Sequence, residues 1–231
     1  MEVETYESLG GQVALVTGAN RGIGERIAAR LTELGATVYA GKRADESVAA
    51  GLRPLELDVT DEDDIVDAVD RIDDEKGRID VLVNNAGVMD DRVALEDMGT
   101  AAIDRTMAVN LRGPMLLAKY ALPLLLLREG SRIVNVSSGL AALTGEMGRG
   151  MPAYRVSKSG LNALTVYLDA EYGDQGIIAN AVCPGWARTE MGGQSAERSA
   201  DEAAETPVWL ARFEPGGPGG EFWRDRQVIE W

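Results

Sequence analysis

The sequence predicts a single α/β domain: a doubly wound, central parallel sheet with helices on both faces. Three observations carry that prediction. Apolar runs of strand length alternate with longer stretches whose apolar residues recur at helical spacing. The connections between them are mostly short, as expected where each crossover helix packs back on the sheet. No internal repeat or low-complexity linker divides the 231 residues, a length that suits one domain.

The elements follow in order. Residues 13–17 are almost wholly apolar, as in a parallel strand buried on both faces. A glycine-rich turn from Gly18 to Gly24 opens a helix with Ile23, Ile27, Leu31 and Leu34 on one face, closed by Gly35. Residues 37–41 form a second strand and 55–58 a third, the short segment between them leaving only a stub of a helix. Thr60 with Asp63 three residues on resembles a capping box for a helix whose buried stripe is Ile65, Val69 and Ile72. Residues 80–84 are a strand, and 100–127 a long helix kinked at Pro114 and Pro123. A strand over 132–137, a helix over 152–172 and a strand over 177–182 come next. Residues 195–210 are mixed but helical in character, and a last short strand begins at Glu221. The cluster of glycine and proline at 216–220 is a turn.

Composition removes several function classes. Hydrophobic residues at 45% and charged residues at 26% describe a folded chain and not a disordered one. The net charge of -15, from 38 acidic against 23 basic side chains, disfavours nucleic acid and anionic membranes as partners. Only Lys42, Lys76, Lys119 and Lys158 are lysines. Few lysines and many carboxylates suit a protein working in concentrated salt, where screening removes self-repulsion, so a halophilic setting is expected. The single Cys183 cannot form an internal disulfide. With no histidine, imidazole bases and His-ligated zinc are excluded, and no metal is expected. The acidic start, Met1 to Glu4, lacks the positive charge of a signal peptide, and the most apolar stretch, 115–127, is too short to span a bilayer. Cytoplasmic residence is therefore expected.

Two motifs carry chemistry. Thr17-Gly18-Ala19-Asn20-Arg21-Gly22-Ile23-Gly24 lies between a buried strand and a helix N-terminus, the context of a dinucleotide loop. Its glycines permit a tight turn and close backbone approach to a pyrophosphate, which helix N-terminal amides attract. Tyr154 and Lys158 stand four apart on a predicted helix and so share a face. A phenol ordinarily titrates near about 10, and a nearby ammonium is expected to lower that value toward a workable acid/base. A hydroxyl from the preceding strand end, Ser137 or Ser138, can hold a substrate carbonyl oxygen; successive strand residues point opposite ways, so only one of the two can face the site.

The glycine spacing, Thr-Gly-x-x-x-Gly-x-Gly, resembles the cofactor loop of the short-chain dehydrogenase/reductase family, a Rossmann fold. Five more elements agree in order: Asp58-Val59, Asn84-Asn85-Ala86-Gly87, Asn110, Val136-Ser137-Ser138 with Tyr154-x-x-x-Lys158, and Pro184-Gly185-Trp186-Ala187-Arg188-Thr189. The resemblance runs from about Gly11 to the C-terminus. It implies a catalytic set of Asn110, Ser138, Tyr154 and Lys158, with Ser138 chosen over Ser137 because the family pattern favours the second serine. It also implies hydride transfer between a nicotinamide and a carbonyl carbon while Tyr154 protonates the oxygen. Ser138 would polarise that oxygen, Lys158 would also grip the nicotinamide ribose, and Asn110 would hold a water reaching Lys158.

The same resemblance assigns cofactor contacts to Gly18, Asn20, Arg21, Gly22, Ile23 and Gly24, to Asp58 and Val59 near the adenine, and to Asn85 and Gly87. Tyr154 and Lys158 join them, as do Pro184, Gly185, Trp186, Arg188 and Thr189 on the nicotinamide side. Lys42 and Arg43 stand where members preferring the unphosphorylated cofactor carry an acid, and Arg21 lies on the same side. These cations suit a 2'-phosphate, so NADP(H) is the expected cofactor; Asp45 and Glu46 are expected to face solvent. The region around 183–191 and the tail from Glu205 resemble the carbonyl-reductase branch, implying reduction of an aldehyde or ketone. Because the chain lacks the long insertion before Tyr154 of that branch's monomeric members, a homodimer or homotetramer through the two long helices is expected. An oxoacyl-thioester reductase, a sugar or polyol dehydrogenase, and a non-catalytic NADP-binding sensor are the rival readings. The stretch from Gly139 to Ala153, longer than is common in the family, is expected to form a mobile wall of the substrate site.

Overall fold

The computed structural model describes residues 3–89, 92–145 and 147–231. Met1 and Glu2 of the acidic start, and Glu146 of the expected mobile wall, lie outside the described residues. Strands β1 (Val13–Val16), β2 (Thr37–Lys42), β3 (Arg53–Glu56), β4 (Val81–Asn84), β5 (Ser131–Val136), β6 (Ile177–Val182) and β7 (Glu221–Arg224) pair in parallel. A two-residue strand, β8 (Gln227–Val228), returns antiparallel beside β7. The order across the sheet is β3-β2-β1-β4-β5-β6-β7-β8. The winding therefore reverses between β1 and β4, and a crevice opens at the carboxyl ends of those two strands.

The apolar runs read as strands because both faces are covered. Val13 and Leu15 enter a core with Ile65, Leu82, Leu117 and Ile133. Ala14 and Val16, one residue out of phase, enter the opposite core with Ile27, Leu31, Val83 and Phe213. Helices α1 (Gly22–Glu33) and α6 (Ala200–Leu210) cover the second face. Helices α2 (Glu62–Lys76), α4 (Gly113–Leu125) and α5 (Pro152–Tyr172) cover the first, with α3 (Thr100–Met107) against α5. No helix among the described residues is long and apolar enough to cross a membrane.

Several boundaries differ from expectation, each for a local reason. The third strand lies two residues earlier, because Leu55 pairs opposite Gly41 and Pro54 is tolerated on an edge strand. No helical stub joins β2 to β3; the chain turns at 44–45 and runs on without regular structure. The cap of α2 is Asp61, which accepts from the amides of Asp63 and Asp64, while Thr60 bonds Asp58 instead. The expected helix over 100–127 is broken by a π turn, Ala108–Arg112. Pro114 lacks the N–H that the Asn110 carbonyl would take in an unbroken α-helix, so the ladder changes register there, and Pro114 stands in the first turn of α4. The last helix begins only at Ala200, where Ser199 and Glu202 form a capping box.

Candidate active site

The glycine loop joins β1 to α1. Gly18 and Gly22 adopt left-handed backbone, at φ +62° and +60°, which L side chains resist. A Cβ on Gly24 would lie 2.3 Å from both the Asn85 Nδ2 and the Gly18 carbonyl oxygen, so only glycine lets the loop close. Thr17 Oγ1 accepts from the amides of Asn85 and Ala86, and Asn85 Nδ2 donates to the carbonyls of Thr17 and Gly18. Asn85, expected as a cofactor contact, thus spends its amide nitrogen bracing the loop. The first turn of α1 has no side-chain cap, leaving its amides for an anionic ligand, and Asn20 and Ile23 are half-buried beside it. This cradle fits a dinucleotide pyrophosphate.

The candidate catalytic residues gather beyond the carboxyl ends of β4 and β5. Ser137 is buried and donates to Asn162 Oδ1 at 2.6 Å, away from the crevice. Ser138 accepts from the Leu140 amide and shares a side-chain hydrogen bond with Tyr154. On α5, one turn on, Lys158 is buried and donates from Nζ to the Val136 carbonyl at 2.7 Å. The π turn carries Asn110 inward, where its carboxamide accepts from the Val88 amide and donates to the Val88 carbonyl and to Ser157 Oγ. A Cβ on Gly87 would stand 3.4 Å from Asn110 Oδ1 and 3.5 Å from Lys158 Nζ, so the three residues converge. One expectation is reversed. Burial pushes the Tyr154 phenol up, against the smaller opposing effect of the Ser138 bond, and burial pushes the Lys158 ammonium down to about 8. Desolvation therefore outweighs any lowering of the phenol by Lys158.

Other predicted contacts are placed less directly. The Asp58 carboxylate accepts from the Thr60 amide and hydroxyl, and Val59 is buried beside it. Gly22 lies against Thr189, 3.2 Å separating the position of its missing Cβ from Thr189 Cγ2, so the 184–193 loop folds over the glycine loop. Pro184 is buried and Gly185 turns the chain, but Trp186 is exposed and donates to the Gly192 carbonyl. Arg188 donates to the carbonyls of Ala196 and Glu197. Both side chains hold their own loop through these bonds.

The three expected phosphate cations are also engaged. Lys42 Nζ donates to the carbonyls of Arg43 and Ala44. Glu46, expected in solvent, instead bridges Arg43 at 2.6 Å and Arg21 at 3.4 Å. The reason is the tight turn at 44–45, which folds Glu46 back over Arg43, its amide donating to the Arg43 carbonyl. An acid three residues beyond an arginine was the available sequence signal.

The wall expected to be mobile is tied down in its described residues. Arg155 donates to the carbonyls of Leu140, Arg149 and Gly150, and Thr144 donates through its amide and hydroxyl to the Trp231 carbonyl. Trp231 stacks on Phe222, so the C-terminal segment supports this wall.

The model of the short chain dehydrogenase family matches residues 12–200. The chain is 38% identical to cis-4-hydroxycyclohexanecarboxylate dehydrogenase of Sinomonas cyclohexanicum, over 90% of this chain and 87% of that one. It is 33% identical to carbonyl reductase (NADPH) 1 of Bos taurus, over 95% of this chain and 98% of that one. Among solved structures, the NADPH-bound carbonyl reductase from chicken fatty liver superposes with a TM-score of 0.85 at 25% identity, covering 97% of this chain and 96% of that one.

Proposed function

The chain belongs to the short-chain dehydrogenase family and is an oxidoreductase acting between CH–OH and carbonyl groups, and from that premise we propose that it reduces an aldehyde or ketone to the alcohol with NADPH. The observation that carries this reading is the grouping of half-buried Ser138 with buried Tyr154, Lys158 and Asn110 beside Gly87. When bound, the nicotinamide cofactor would supply the hydride for the carbonyl carbon. The glycine loop from Gly18 to Gly24 would hold its pyrophosphate, Asp58 and Val59 its adenine, and Lys158 its nicotinamide ribose.

Ser138 Oγ donates to the substrate oxygen and fixes its position. Tyr154 then gives that oxygen its phenolic proton. A phenol raised by burial stays protonated at neutral pH, which favours the role of donor and hence the direction of reduction. Lys158, poised near 8, reprotonates Tyr154 in its turn, and Asn110 ties the π turn to Val88 and Ser157 beside it. NADP(H) is supported by Arg21 and Arg43 beside the site and by the cofactor named for the bovine and chicken relatives.

A panel of aldehydes, ketones, hydroxy acids, sugars and acyl thioesters, assayed in both directions with each cofactor, tests the reading. Turnover of a simple carbonyl with NADPH is expected. Activity confined to thioesters or sugar alcohols would move the assignment within the family, and cofactor binding without turnover would make the chain a sensor. Homo-oligomerisation belongs to the same proposal: Met115 on α4, and Val156 and Tyr167 three turns apart on one face of α5, are exposed. Sedimentation at several concentrations tests it. A cytoplasmic location rests on the lone, unpaired Cys183, and fractionation of the producing cells tests that.

A further inference from the structure

Two arginines beside the crevice are already paired with carboxylates of the same chain. Glu46 Oε1 lies 2.6 Å from Arg43 Nη2 and 3.4 Å from Arg21 Nη1, and its other oxygen accepts from the Arg43 amide at 3.3 Å. The Glu46 side chain is only 19% exposed, against 57% for Arg21 and 62% for Arg43, so the carboxylate sits inside and the two guanidinium groups close over it. Glu190 also reaches Arg21, at 3.0 Å, but is 75% exposed. Lys42 has no carboxylate partner here; its ammonium donates to the carbonyls of Arg43 and Ala44. The adjoining cleft, of about 660 Å³, is lined by Arg43 together with Asp45, Glu56, Asp58, Asp61 and Asp64. An incoming phosphate would therefore find both arginines already paired and further carboxylates nearby.

We propose that Glu46 is an internal competitor for the 2'-phosphate and sets how strongly this chain discriminates NADP(H) from NAD(H). This rests on the reading that Arg21 and Arg43 receive that phosphate. A phosphate and a carboxylate are both bidentate partners for guanidinium, so one must yield as the other binds. The unphosphorylated cofactor makes no such demand and leaves the bridge intact. Glu46 thus subtracts from the preference for NADP(H) without affecting the rest of the cofactor site. The bridge carboxyl is held below the usual carboxylate range chiefly by its hydrogen bond to Arg43, so at neutral pH the competitor is charged.

The test is calorimetric binding of 2',5'-ADP and of 5'-AMP to the parent protein and to the Glu46→Gln and Arg43→Ala variants. Glutamine keeps the shape and removes the charge. Glu46→Gln is expected to tighten 2',5'-ADP by about two- to fivefold, the range set by partly exposed ion pairs, and to leave 5'-AMP unchanged. Arg43→Ala should weaken 2',5'-ADP alone. If Arg43→Ala weakens 2',5'-ADP but Glu46→Gln does not tighten it, Glu46 is no competitor and the cofactor reading stands. If no protein distinguishes 2',5'-ADP from 5'-AMP, both ideas are overturned.

Discussion

Ser137 donates its hydroxyl to Asn162 Oδ1 at 2.6 Å across the buried contact between the end of β5 and α5. Its neighbour Ser138 turns the other way, toward Tyr154. Two adjacent serines therefore have separate tasks, one holding a helix to the sheet and one facing the crevice. Ser138→Ala should lower kcat by about 100-fold or more, as loss of a group that polarises the reacting oxygen does. Ser137→Ala should keep most of its turnover but lower Tm by about 3 to 8 °C, because Asn162 loses a buried partner. Steady-state kinetics and thermal melts on the two variants check this; the opposite pattern would reassign the serine.

Tyr154→Phe should lose about 10²- to 10⁴-fold in turnover, the usual worth of a positioned proton donor. Cofactor affinity should change by no more than about twofold, since the ring and its burial are kept. Initial rates and a fluorescence titration of NADPH separate the two quantities. Near-parental turnover would mean that another group is the acid.

Lys158, held down to about 8 by burial, titrates within reach of ordinary buffers. Carbonyl reduction should therefore fall as pH rises through about 8, and the limb should be absent from the residual activity of Lys158→Met. The same shift fixes a sign for stability. Between about 8 and the ordinary lysine value of 10.5 the unfolded chain carries a proton that the folded chain has lost. This group's contribution thus rises with pH across that window, and its burial penalty is felt in full below it. Lys158→Met should gain most over the parent near pH 7, with the gap closing toward pH 10. Denaturant titrations at pH 7, 8.5 and 10 test it, and a gap that widens with pH would contradict the burial of a neutral amine.

Gly24→Ala should abolish cofactor binding, because a Cβ there would stand 2.3 Å from Asn85 Nδ2 and from the Gly18 carbonyl oxygen. Backbone cannot give by that much without opening the loop. An overpacked contact of this kind also costs about 1–3 kcal/mol in stability. Calorimetry with NADPH and a urea melt give both readings, and a variant that binds normally would show the loop to be looser than its contacts imply.

Folded stability should rise with NaCl into the molar range. The motive is the net charge of -15 with four lysines, sharpened by the carboxylate-lined cleft next to Arg43. The Debye length shrinks from roughly 30 Å at 0.01 M salt to about 3 Å at 1 M, so like-charge repulsion in the compact state is screened. Salt also weakens the attraction of Arg21 and Arg43 for a phosphate, so turnover at subsaturating cofactor should pass through an optimum. A Tm that is flat or falling with salt would remove the halophilic reading.

Much of the fold was legible because its signals are local. The helix over 152–172 follows from its apolar spacing, and the strand over 177–182 from an unbroken apolar run. The break at 108–112 was not, since it arises where Pro114 denies a hydrogen bond to a carbonyl inside an otherwise helical pattern. The candidate set of Asn110, Ser138, Tyr154 and Lys158 was visible as motifs. The bracing of the loop by Asn85 through Thr17 and Gly18 was not visible, because its partners lie 68 and 67 residues away.

The sequence by itself determined the alternation of strand and helix, the positions where only glycine can turn, and the pairing of Tyr154 with Lys158 on one helix face. Each depends on neighbours within a few residues, where backbone stereochemistry and helical period leave few options. The tertiary structure alone decided how those groups are charged and what they touch. Burial, which no spacing reveals, pushes Tyr154 up and Lys158 down. Chain folding brings Glu46 to Arg21, 25 residues distant, and Asn162 to Ser137, 25 residues distant. Electrostatics and hydrogen bonding depend on separation in space and on the water excluded there, and the packed sheet and helices set both.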